Sequence, residues 1–331
     1  MTESGTRKKN AESWCFVYVA DIQPGSPRSF RYNPSWQANW EVARKQIIEV
    51  DPELLLVGGD LTRDGSVHPG ELEEMRADLD QLPFPVHAVP GNMDTGNKHT
   101  DVVGRNRGPD QCSDVELNVT SAQLQRFASI VGPLWWSFDH RGVRFSGVAD
   151  MVINSGLPEE QEFWQWAREQ AEREPADHHV WITHYPPFAD GPDEPDWDLT
   201  RDDEYIDWYF TIDQPGRGRL LDLFSDTETD IVISGHVHCH RVRETRGIRF
   251  EIAPATSFSQ WGKRWPDGDP TLGFLRYDVT ADGIESTLVP LRKTHQLEGY
   301  GPGGHPAPRV RDYSLAWEKP SMEDAGEVVE E

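Results

Sequence analysis

The chain has little cysteine, little lysine and no long apolar run. Its 331 residues include three cysteines, at positions 15, 112 and 239, and none of them belongs to a CxxC pair. An odd number of widely spaced cysteines favours free thiols in a reducing cytoplasm. No window approaches the ~20 apolar residues of a membrane-spanning helix, and the first residues lack an apolar stretch of signal-peptide length. We therefore expect a cytoplasmic protein without a membrane partner.

Positive charge is scarce as well. The chain has 57 acidic and 32 basic residues, a formal net charge of -25, and seven of the basic residues are lysines. A surface with this charge repels polyanions, which argues against non-specific binding to nucleic acid or to an anionic membrane. We expect no nucleic-acid partner.

The composition is sufficient for a sizeable core, with 36% hydrophobic residues and 13 tryptophans. Residues 1–12 are polar, and residues 296–331 run from a Gly/Pro-rich stretch into an acidic tail. Both ends have too little apolar surface to fold alone. The sequence predicts one folded domain over residues 13–295 with flexible ends.

Between the ends, short aliphatic runs alternate with longer amphipathic stretches. The runs predict buried strands and lie at 15–20, 54–58, 86–89, 179–183 and 230–234. The amphipathic stretches predict helices and lie at 35–50, 69–81, 158–174 and 216–225. Strand, helix and strand in succession indicate a sheet with crossover helices.

A second group of segments predicts antiparallel strand pairs. The segments lie at 135–150, 238–253 and 271–291, with tight turns at Arg141-Gly142, Arg246-Gly247 and Asp282-Gly283. The two groups imply an α/β (α+β) fold of two sheets, packed on each other and flanked by helices. Residues 189–215 are rich in Asp and Pro, and we expect a lid or rim loop there, because loops of that length are usually functional or disordered.

Each of the five aliphatic runs ends at residues that can bind a metal. In chain order these are Asp21 and Gln23, Asp60, Asn92, His184, and His236 and His238. Ligands of open α/β sheets collect beyond the carboxyl ends of the strands, so the seven side chains are expected to converge on one cleft. A single His or Asp after a strand is usually a capping or core residue, but five such endings in succession indicate a shared site.

The set is chemically coherent. Two carboxylates, three imidazoles and two carboxamide oxygens can surround two divalent ions, with one carboxylate bridging them. Such ions lie about 3.5–4 Å apart and hold both the attacking and the leaving oxygen of a displacement at phosphorus. Glycines beside the ligands, at positions 58, 59, 91 and 235, let the backbone approach the metals closely.

With these residues in place, the pattern D-x-Q … GGD … GN … H … GHVH resembles the calcineurin-like metallophosphoesterases. The family pattern is DxH, GDxx(D/G), GNH(D/E), an isolated His and GHxH, and the resemblance covers residues 14–290. It implies a four-layer αββα sandwich, a dinuclear metal site and hydrolysis of phosphate esters. The D-x-Q block, the GN-x-D-x-GN extension and Tyr209-Phe210 are most similar to the subgroup that contains the vertebrate calcineurin-like phosphoesterase domain-containing protein 1, a protein serine/threonine phosphatase. A phosphorylated small molecule or a phosphoprotein is the implied substrate.

The resemblance also assigns roles to the strand-end residues. Two groups of four ligands share one carboxylate: Asp21, Gln23, Asp60 and His238 for the first ion, and Asp60, Asn92, His184 and His236 for the second. A hydroxide shared by the ions is the implied nucleophile, and Asp60, Asn92 and His184 form the catalytic group. The ions are Mn, Fe, Mg or Zn. We favour Mn, because Gln23 replaces an imidazole of the family pattern with a harder oxygen donor.

A second departure from the family is Met93, which stands where the family has the His that protonates the leaving group or steadies the transition state. A thioether has no proton to give, and losing a general acid costs about 10² to 10⁴ in rate, most for alkoxide leaving groups. Asp94, which would orient that His, is expected to cap a turn or to bind Thr95 locally. His99, in the same loop, is a candidate substitute acid.

Arg63, His99 and His240 are candidate substrate contacts beside Asn92. Arg63 follows the bridging carboxylate in the chain, and its guanidinium offers a bidentate fork for a phosphate. His240 continues the strand end on the same face as His238. A solvated side chain is the plain alternative at Arg63 and His99.

Three hypotheses follow for the function. The first is a metal-dependent phosphoesterase with weak or tuned activity. The second is a metal-binding scaffold or sensor that binds a phosphorylated ligand without turnover, and in the third the metals are structural. The sequence leaves open the physiological substrate, the preference for monoesters or diesters, and the oligomeric state.

Overall fold

The structure, a computed structural model, describes residues 13–26, 29, 32–101, 117–259 and 265–297. The predicted flexible N-terminus at 1–12, residues 298–331 of the predicted tail at 296–331, and Cys112 lie outside these residues. The described part of the chain has no helix that is long and apolar enough to cross a membrane.

Eleven strands are present in the described residues. They are β1 (Trp14–Val19), β2 (Leu54–Gly58), β3 (Val86–Val89), β4 (Trp135–His140), β5 (Val143–Val148), β6 (His178–Ile182), β7 (Ile231–Ser234), β8 (Arg241–Thr245), β9 (Ile248–Ile252), β10 (Gly273–Thr280) and β11 (Gly283–Pro290). The five predicted runs correspond to β1, β2, β3, β6 and β7, so the prediction of strands is confirmed. In β3 the burial is less complete than predicted, because Val86, His87 and Ala88 are half-buried.

The strands form two mixed sheets. The first has the order β11-β10-β1-β2-β3, in which β1, β2 and β3 are parallel neighbours and β10 pairs antiparallel with β1 and β11. The second has the order β4-β5-β6-β7-β9-β8, in which β5, β6, β7 and β9 are parallel neighbours between antiparallel edge strands. The parallel strands of each sheet therefore end at one edge of that sheet.

Seven helices of four or more residues occur in the described ranges. They are α1 (Pro34–Val50), α2 (Pro69–Leu79), α3 (Asn92–Thr95), α4 (Ser121–Ile130), α5 (Pro158–Ala171), α6 (Asp202–Phe210) and α7 (Gly216–Asp226). Proline opens α1, α2 and α5, where its missing N–H costs no hydrogen bond. Asn33 caps α1 by accepting the N–H of Ser35 at 2.9 Å.

Three apolar layers hold the sheets and helices together. Phe16 and Leu56 of the first sheet pack against Phe145 and Ile182 of the second, and all four side chains are fully buried. One outer layer joins α1 and α2 to the first sheet, and the other joins α5 and α7 to the second. Fully burying a large apolar side chain stabilises the fold by roughly 1.5–3 kcal/mol. The predicted sandwich of two sheets flanked by helices is confirmed.

The predicted turns of the strand pairs are present, with one shift. Both residues of Arg141-Gly142 and of Arg246-Gly247 have positive φ, as a two-residue hairpin turn requires. The third turn lies one residue earlier than predicted, because Gly283 already pairs with Thr280 as the first residue of β11.

The structure differs from the prediction of a continuous loop over residues 189–215. That prediction is wrong for the second half, which forms α6 and buries Trp208 and Phe210. Helix α4 was also not predicted from amphipathic periodicity. Its sequence signal is the capping box of Thr120 and Gln123, in which each side chain bonds to the other residue's backbone N–H.

Candidate metal centre

The predicted metal ligands lie where parallel strands of both sheets end. Asp21 and Gln23 follow β1, Asp60 follows β2, and Asn92 follows β3. On the facing sheet His184 follows β6, and the GHVH residues His236 and His238 follow β7. All seven residues are buried, with at most 4% of any of them exposed. The fold therefore brings the seven side chains to one edge of the sandwich.

Backbone hydrogen bonds fix these strand ends to one another. The N–H of Asp21 donates to the carbonyl of Gly59 at 3.0 Å within the first sheet. Between the sheets, the N–H of His236 donates to Oδ2 of Asp21 at 2.8 Å. The cleft between the sheets is thus closed by hydrogen bonds as well as by apolar packing.

Five of the seven residues have a left-handed backbone. The φ angles are 53° at Asp21, 48° at Gln23, 50° at Asp60, 66° at His236 and 54° at His238. Residues other than glycine rarely adopt this conformation, which costs of order 1–3 kcal/mol each and persists where the surrounding structure imposes it. Such clustering of backbone strain is typical of functional sites.

Glycines allow the loops of the site to approach closely. A Cβ at Gly91 would lie 2.1 Å from the backbone nitrogen of Asp60 and 2.2 Å from its Oδ1. A Cβ at Gly235 would lie 2.8 Å from Oδ2 of Asp21. Only glycine fits at these two positions, so the prediction of close backbone approach at Gly91 and Gly235 agrees with the structure.

Backbone carbonyls orient the three imidazoles. Nδ1 of His184 donates to the carbonyl of Gly58 at 2.9 Å. Nε2 of His236 donates to the carbonyl of Tyr209 at 3.0 Å, and Nδ1 of His238 donates to that of Phe258 at 2.7 Å. One nitrogen of each ring therefore donates a hydrogen bond, and the other nitrogen keeps a lone pair that can bind a metal.

The acidic and imidazole ligand atoms form two groups that share Asp60. One group contains Asp60, His184 and His236, the other contains Asp21, Asp60 and His238, and within each group the ligand atoms lie within 4.8 Å of one another. These two groups could each hold a metal ion.

Acceptor atoms face acceptor atoms in both groups. Nε2 of His184 lies 3.0 Å from Oδ1 of Asn92 and 3.3 Å from Oδ1 of Asp60. Nε2 of His238 lies 3.2 Å from Oδ1 of Asp21, a buried oxygen without a hydrogen-bond partner among the described residues. Lone pairs placed against each other in a buried site need a proton or a cation between them, and the donor set fits two metal ions.

Burial and mutual charge shift the pKa values of the shared ligands. Burial raises the pKa of Asp60; His184 opposes this shift and Asp21 adds to it. Burial would lower the pKa of His184, but the carboxylates of Asp60, Asp21 and Asp150 outweigh it and raise the pKa. Bound cations would instead lower the pKa of Asp60, because they favour its ionised form.

The two carboxamides of the site face it with different atoms. Nδ2 of Asn92 donates to Oδ1 of Asn97 at 3.0 Å, which leaves Oδ1 of Asn92 directed at His184. Gln23 instead donates from Nε2 to Oδ2 of Asp60 at 2.7 Å, and its Oε1 accepts from Arg63 at 2.8 Å. Asn92 thus presents an oxygen that can bind a metal, whereas Gln23 presents an amide N–H₂.

Met93 is half-buried at the start of α3. Its backbone N–H donates to Oδ1 of Asp60 at 2.8 Å, and its Sδ lies 3.4 Å from Nδ2 of Asn92. The thioether therefore lies beside Asn92 and Asp60 at the edge of the site.

Asp94 joins two loops of the site. Its carboxylate accepts the backbone N–H groups of Gly91, Leu61 and Thr62 and the hydroxyl of Thr62, at 2.7–3.0 Å. The prediction that Asp94 caps a turn is confirmed, but the alternative bond to Thr95 is wrong, since the Thr95 hydroxyl donates to the Gly91 carbonyl. Burial, with the charge of Asp60, raises the pKa of Asp94 to about 7.

The three candidate substrate contacts are engaged by other residues of the chain. Arg63 donates to Gln23 as described, and its guanidinium lies 5.1 Å from the centre of the Trp36 ring. Nε2 of His99 lies 2.8 Å from the carbonyl of Val119. Nε2 of His240 lies 2.8 Å from Oε1 of Glu251. Their roles as substrate contacts stay predictions.

Three further residues of the site were not singled out as site residues by the sequence. Asp150 follows β5 and accepts the backbone N–H of Tyr185 at 2.7 Å; burial raises its pKa to about 7. Its signal was the run FSGVAD, which ends in an acidic residue like the other runs. Asn97 orients Asn92, and the hydroxyl of Tyr209 lies 3.4 Å from Nδ2 of Asn92.

The fold and the site define a class of protein: an αββα sandwich with Asp and His groups at its strand ends that can hold metal ions. A comparison with family models gives the family. The model described as calcineurin-like phosphoesterase matches residues 16–240, and the chain belongs to this family. No curated protein matches the chain significantly.

Comparison with solved structures gives matches of low sequence identity. GAP50, described as the anchor in the inner membrane complex of Plasmodium, is 14% identical with a TM-score of 0.51, over 87% of this chain and 88% of that chain. The purple acid phosphatase PPD1 from yellow lupin (Lupinus luteus) seeds is 14% identical with a TM-score of 0.59, over 87% of this chain and 53% of that chain. A dimetal phosphatase from Danio rerio is 12% identical with a TM-score of 0.46, over 83% of this chain and 98% of that chain. At these identities the first two similarities concern the fold alone.

Proposed function

We propose that the protein is a metal-dependent phosphoesterase that acts at the strand-end centre. The observation that carries this proposal is the packing of buried acceptor atoms of Asp60, Asn92 and His184 against one another, in a chain of the calcineurin-like phosphoesterase family. Two divalent ions bound there would neutralise the phosphate and lower the pKa of a water for attack on phosphorus.

The chain's own contribution is to hold its ligands ready before substrate binds. Asp60 is fixed on both oxygens, by the N–H of Met93 and the amide of Gln23. The carbonyls of Gly58, Tyr209 and Phe258 fix the imidazoles. Groups that are already oriented need no reorganisation during the reaction, which is the main source of electrostatic stabilisation in enzymes.

The donor set supports a choice among the candidate metals. Carboxylates, an amide oxygen and imidazoles suit Mn²⁺, Fe²⁺ or Zn²⁺, and Mg²⁺ where oxygen donors dominate. We favour Mn²⁺ on the strength of the Asp21 and Asp60 carboxylates and the Asn92 oxygen. The support from Gln23 that the sequence suggested does not apply, since its oxygen faces Arg63.

The proton for the leaving group must come from a residue other than Met93. His99 is the candidate acid from the sequence, but its Nε2 is already engaged by the carbonyl of Val119. The phenol of Tyr209 lies 3.4 Å from the Asn92 amide, the same distance as the Met93 sulfur. Tyrosine is an established general acid in enzymes, and we assign Tyr209 this role.

For the substrate we propose a phosphate ester on a small molecule, or a phosphoserine or phosphothreonine of a protein. The protein substrate rests on the subgroup resemblance carried by Gln23, Tyr209 and the second Gly-Asn pair. A cytoplasmic location likewise stays a prediction.

A scaffold or sensor is the second candidate function. Met93 favours it, because a site without the usual acid can bind phosphate without turning it over. GAP50, which has a similar fold, is described as an anchor. Tight binding of phosphate in the presence of Mn²⁺, without hydrolysis, would support this function.

A panel of metals and substrates tests the proposed function. Chelator-treated protein is reconstituted separately with Mn²⁺, Fe²⁺, Zn²⁺ and Mg²⁺ and assayed on aryl and alkyl phosphomonoesters and on diesters. We expect hydrolysis of aryl phosphates in Mn²⁺ and its loss in His236→Ala, which removes one ligand. Protein that carries stoichiometric metal but hydrolyses none of these esters above the His236→Ala background is not a phosphoesterase.

A further inference from the structure

Gln23 makes contacts that fix which end of its amide faces the metal centre. The residue is 2% exposed, so its side chain is shielded from bulk solvent. Its Nε2 lies 2.7 Å from Oδ2 of Asp60 and 3.4 Å from Nε2 of His238, and its Oε1 lies 2.8 Å from Nη1 of Arg63.

The polarity of each partner allows one orientation. Arg63 has donors only, so it must face the amide oxygen. An ionised Asp60 has acceptors only, and His238 presents an acceptor because its Nδ1 already donates to Phe258. Turning the amide over would place N–H₂ against guanidinium and oxygen against carboxylate.

Arg63 is itself held in place. It is 7% exposed, its backbone N–H donates to the carbonyl of Pro24 at 2.9 Å, and its guanidinium lies over the ring of Trp36. A cation over an aromatic face is stabilised by the ring quadrupole. The residue that selects the Gln23 orientation therefore has little freedom to move away.

We propose that Arg63 is a positioning residue that turns the Gln23 oxygen away from the centre and thereby makes its two metal sites unequal. An amide N–H₂ has no lone pair for a metal. The first ion is left with three protein ligands, Asp21, Asp60 and His238, whereas the second has four, Asp60, Asn92, His184 and His236. The site with four ligands fills first, and the other fills only at higher metal concentration. This inference rests on the proposed function in one respect, namely that the centre binds metal.

Metal titration of the full chain tests the inference. Chelator-treated protein is titrated with Mn²⁺ by equilibrium dialysis, and the Mn²⁺ EPR spectrum is recorded at one equivalent. We expect two classes of site and a mononuclear signal at one equivalent. Arg63→Met keeps the aliphatic stem but frees the amide to turn, so the weak class should tighten by about 10- to 100-fold while the tight class is unchanged.

Two controls separate the amide from other effects. Arg144 is also 7% exposed and ion-paired, with Asp139 at 2.8 Å, but it lies at the start of β5, so Arg144→Met should change neither class. Removing a positive charge alone could also tighten a cation site. Arg63→Met is therefore repeated in Gln23→Leu, where it should no longer affect the weak class.

The outcomes distinguish this inference from the proposed function. Two equal sites in the wild type overturn the inference, as does a weak class that Arg63→Met leaves unchanged or tightens equally in Gln23→Leu. If Arg63→Met does not fold, Gln23→His tests the same point, since an imidazole supplies the missing ligand with Arg63 in place; an unchanged weak class overturns the inference. Two unequal sites without ester hydrolysis overturn the proposed function alone. A chain that binds no Mn²⁺ overturns both.

Discussion

At the scale of single residues, several side chains of the centre have two polar atoms. The hydrogen bond that one of these atoms makes decides what the other atom can offer to the centre. Nδ1 of His184 donates to Gly58, so its Nε2 can only accept or bind a metal. Asn97 takes the amide nitrogen of Asn92, so the oxygen of Asn92 faces the site. Mutating such orienting partners in metal sites typically costs about 10- to 100-fold in affinity or activity. We therefore expect Asn97 to matter nearly as much as the ligands, whereas Arg63 turns an oxygen away from the centre and its replacement should tighten metal binding.

The assignment of Tyr209 as general acid predicts a dependence on the leaving group. Tyr209→Phe should slow hydrolysis of alkyl phosphates by about 10²-fold or more, because an alkoxide needs a proton to leave. Hydrolysis of p-nitrophenyl phosphate should change little, since its leaving group is stable as an anion. The measurement is kcat for a series of esters with leaving groups of increasing pKa.

Met93→His, introduced into the Tyr209→Phe variant, tests the same assignment by supplying a different proton donor. An imidazole at this position should restore part of the alkyl phosphatase activity to Tyr209→Phe, by about tenfold or more. The gain is limited because Asp94 is occupied by Gly91, Leu61 and Thr62 and is not available to orient the new ring. A Tyr209→Phe variant with an unaltered leaving-group series would show that the proton has another source.

At the scale of structural elements, α6 forms part of the wall of the centre. Its Tyr209 supplies a carbonyl to His236 and a hydroxyl near Asn92. The buried amine of Lys98 donates to the carbonyl of Thr211, at the end of α6, and to Asp213. Burial lowers the pKa of Lys98 to about 8. The loop after α3 and the end of α6 are thus fixed to each other.

The preceding segment, residues 189–201, is anchored by two arginines. Arg217 is fully buried and donates to the carbonyl of Glu194 at 2.6 Å and to its carboxylate at 3.3 Å. Arg241 donates to the carbonyl of Ala189 at 2.9 Å. These contacts hold the segment against the body of the protein.

Removal of one anchor should loosen the segment. We expect Arg217→Met to increase native-state chymotrypsin cleavage at Trp197, whose ring lies 5.2 Å from the guanidinium of Arg217. The free energy of unfolding should fall by about 1–3 kcal/mol, because partly buried acceptors of Glu194 lose their donor. Arg246→Met is the matched control, since Arg246 is more than a third exposed and pairs with Asp222 at the surface. Equal cleavage rates in the two variants would contradict the anchoring role.

At the scale of the whole molecule, buried carboxyl groups make the stability of the metal-free protein depend on pH. Burial raises the pKa of Glu71 from 4.5 to about 8, with a contribution from Asp64. The pKa values of Asp94 and Asp150 are raised to about 7, also by burial. In each case the folded state binds its proton more tightly than the unfolded state does. This stabilisation is complete below pH ~4 and is lost as the pH rises through 7 to 8.

Glu71→Gln should remove the part of this dependence that comes from Glu71. Glu71 accepts from the hydroxyl of Ser29 and the N–H of Asp64, and a glutamine oxygen can keep one of these bonds without carrying charge. We expect the metal-free wild type to lose stability between about pH 4.5 and 8. The variant should change less and should be the more stable of the two at pH 8.5. Urea unfolding of both proteins across this range measures the difference, and parallel pH profiles would rule the prediction out.

Much of this architecture follows from the sequence alone. The strand runs, the helices opened by proline and the hairpins with positive-φ turns depend on neighbours a few residues apart. The positions of the strand ends follow from the apolar pattern and from the rule that parallel strands end at one edge. The sequence alone therefore predicts that Asp60, His184 and His236 lie close together. Helix α6 was missed because its stability comes from burying Trp208 and Phe210, not from a clear local signal.

Only the tertiary structure decided how each side chain is used. Gln23 is oriented by Arg63, 40 residues further along the chain. The amide nitrogen of Asn92 lies near the hydroxyl of Tyr209, 117 residues further along. The sequence names the residue at each position, but the hydrogen-bond polarity of a carboxamide depends on which donors and acceptors the fold brings to it. The sequence therefore determined the family, the sandwich and the strand-end residues that meet at one site. The fold decided that Asn92 offers the metal centre an oxygen and Gln23 an N–H₂.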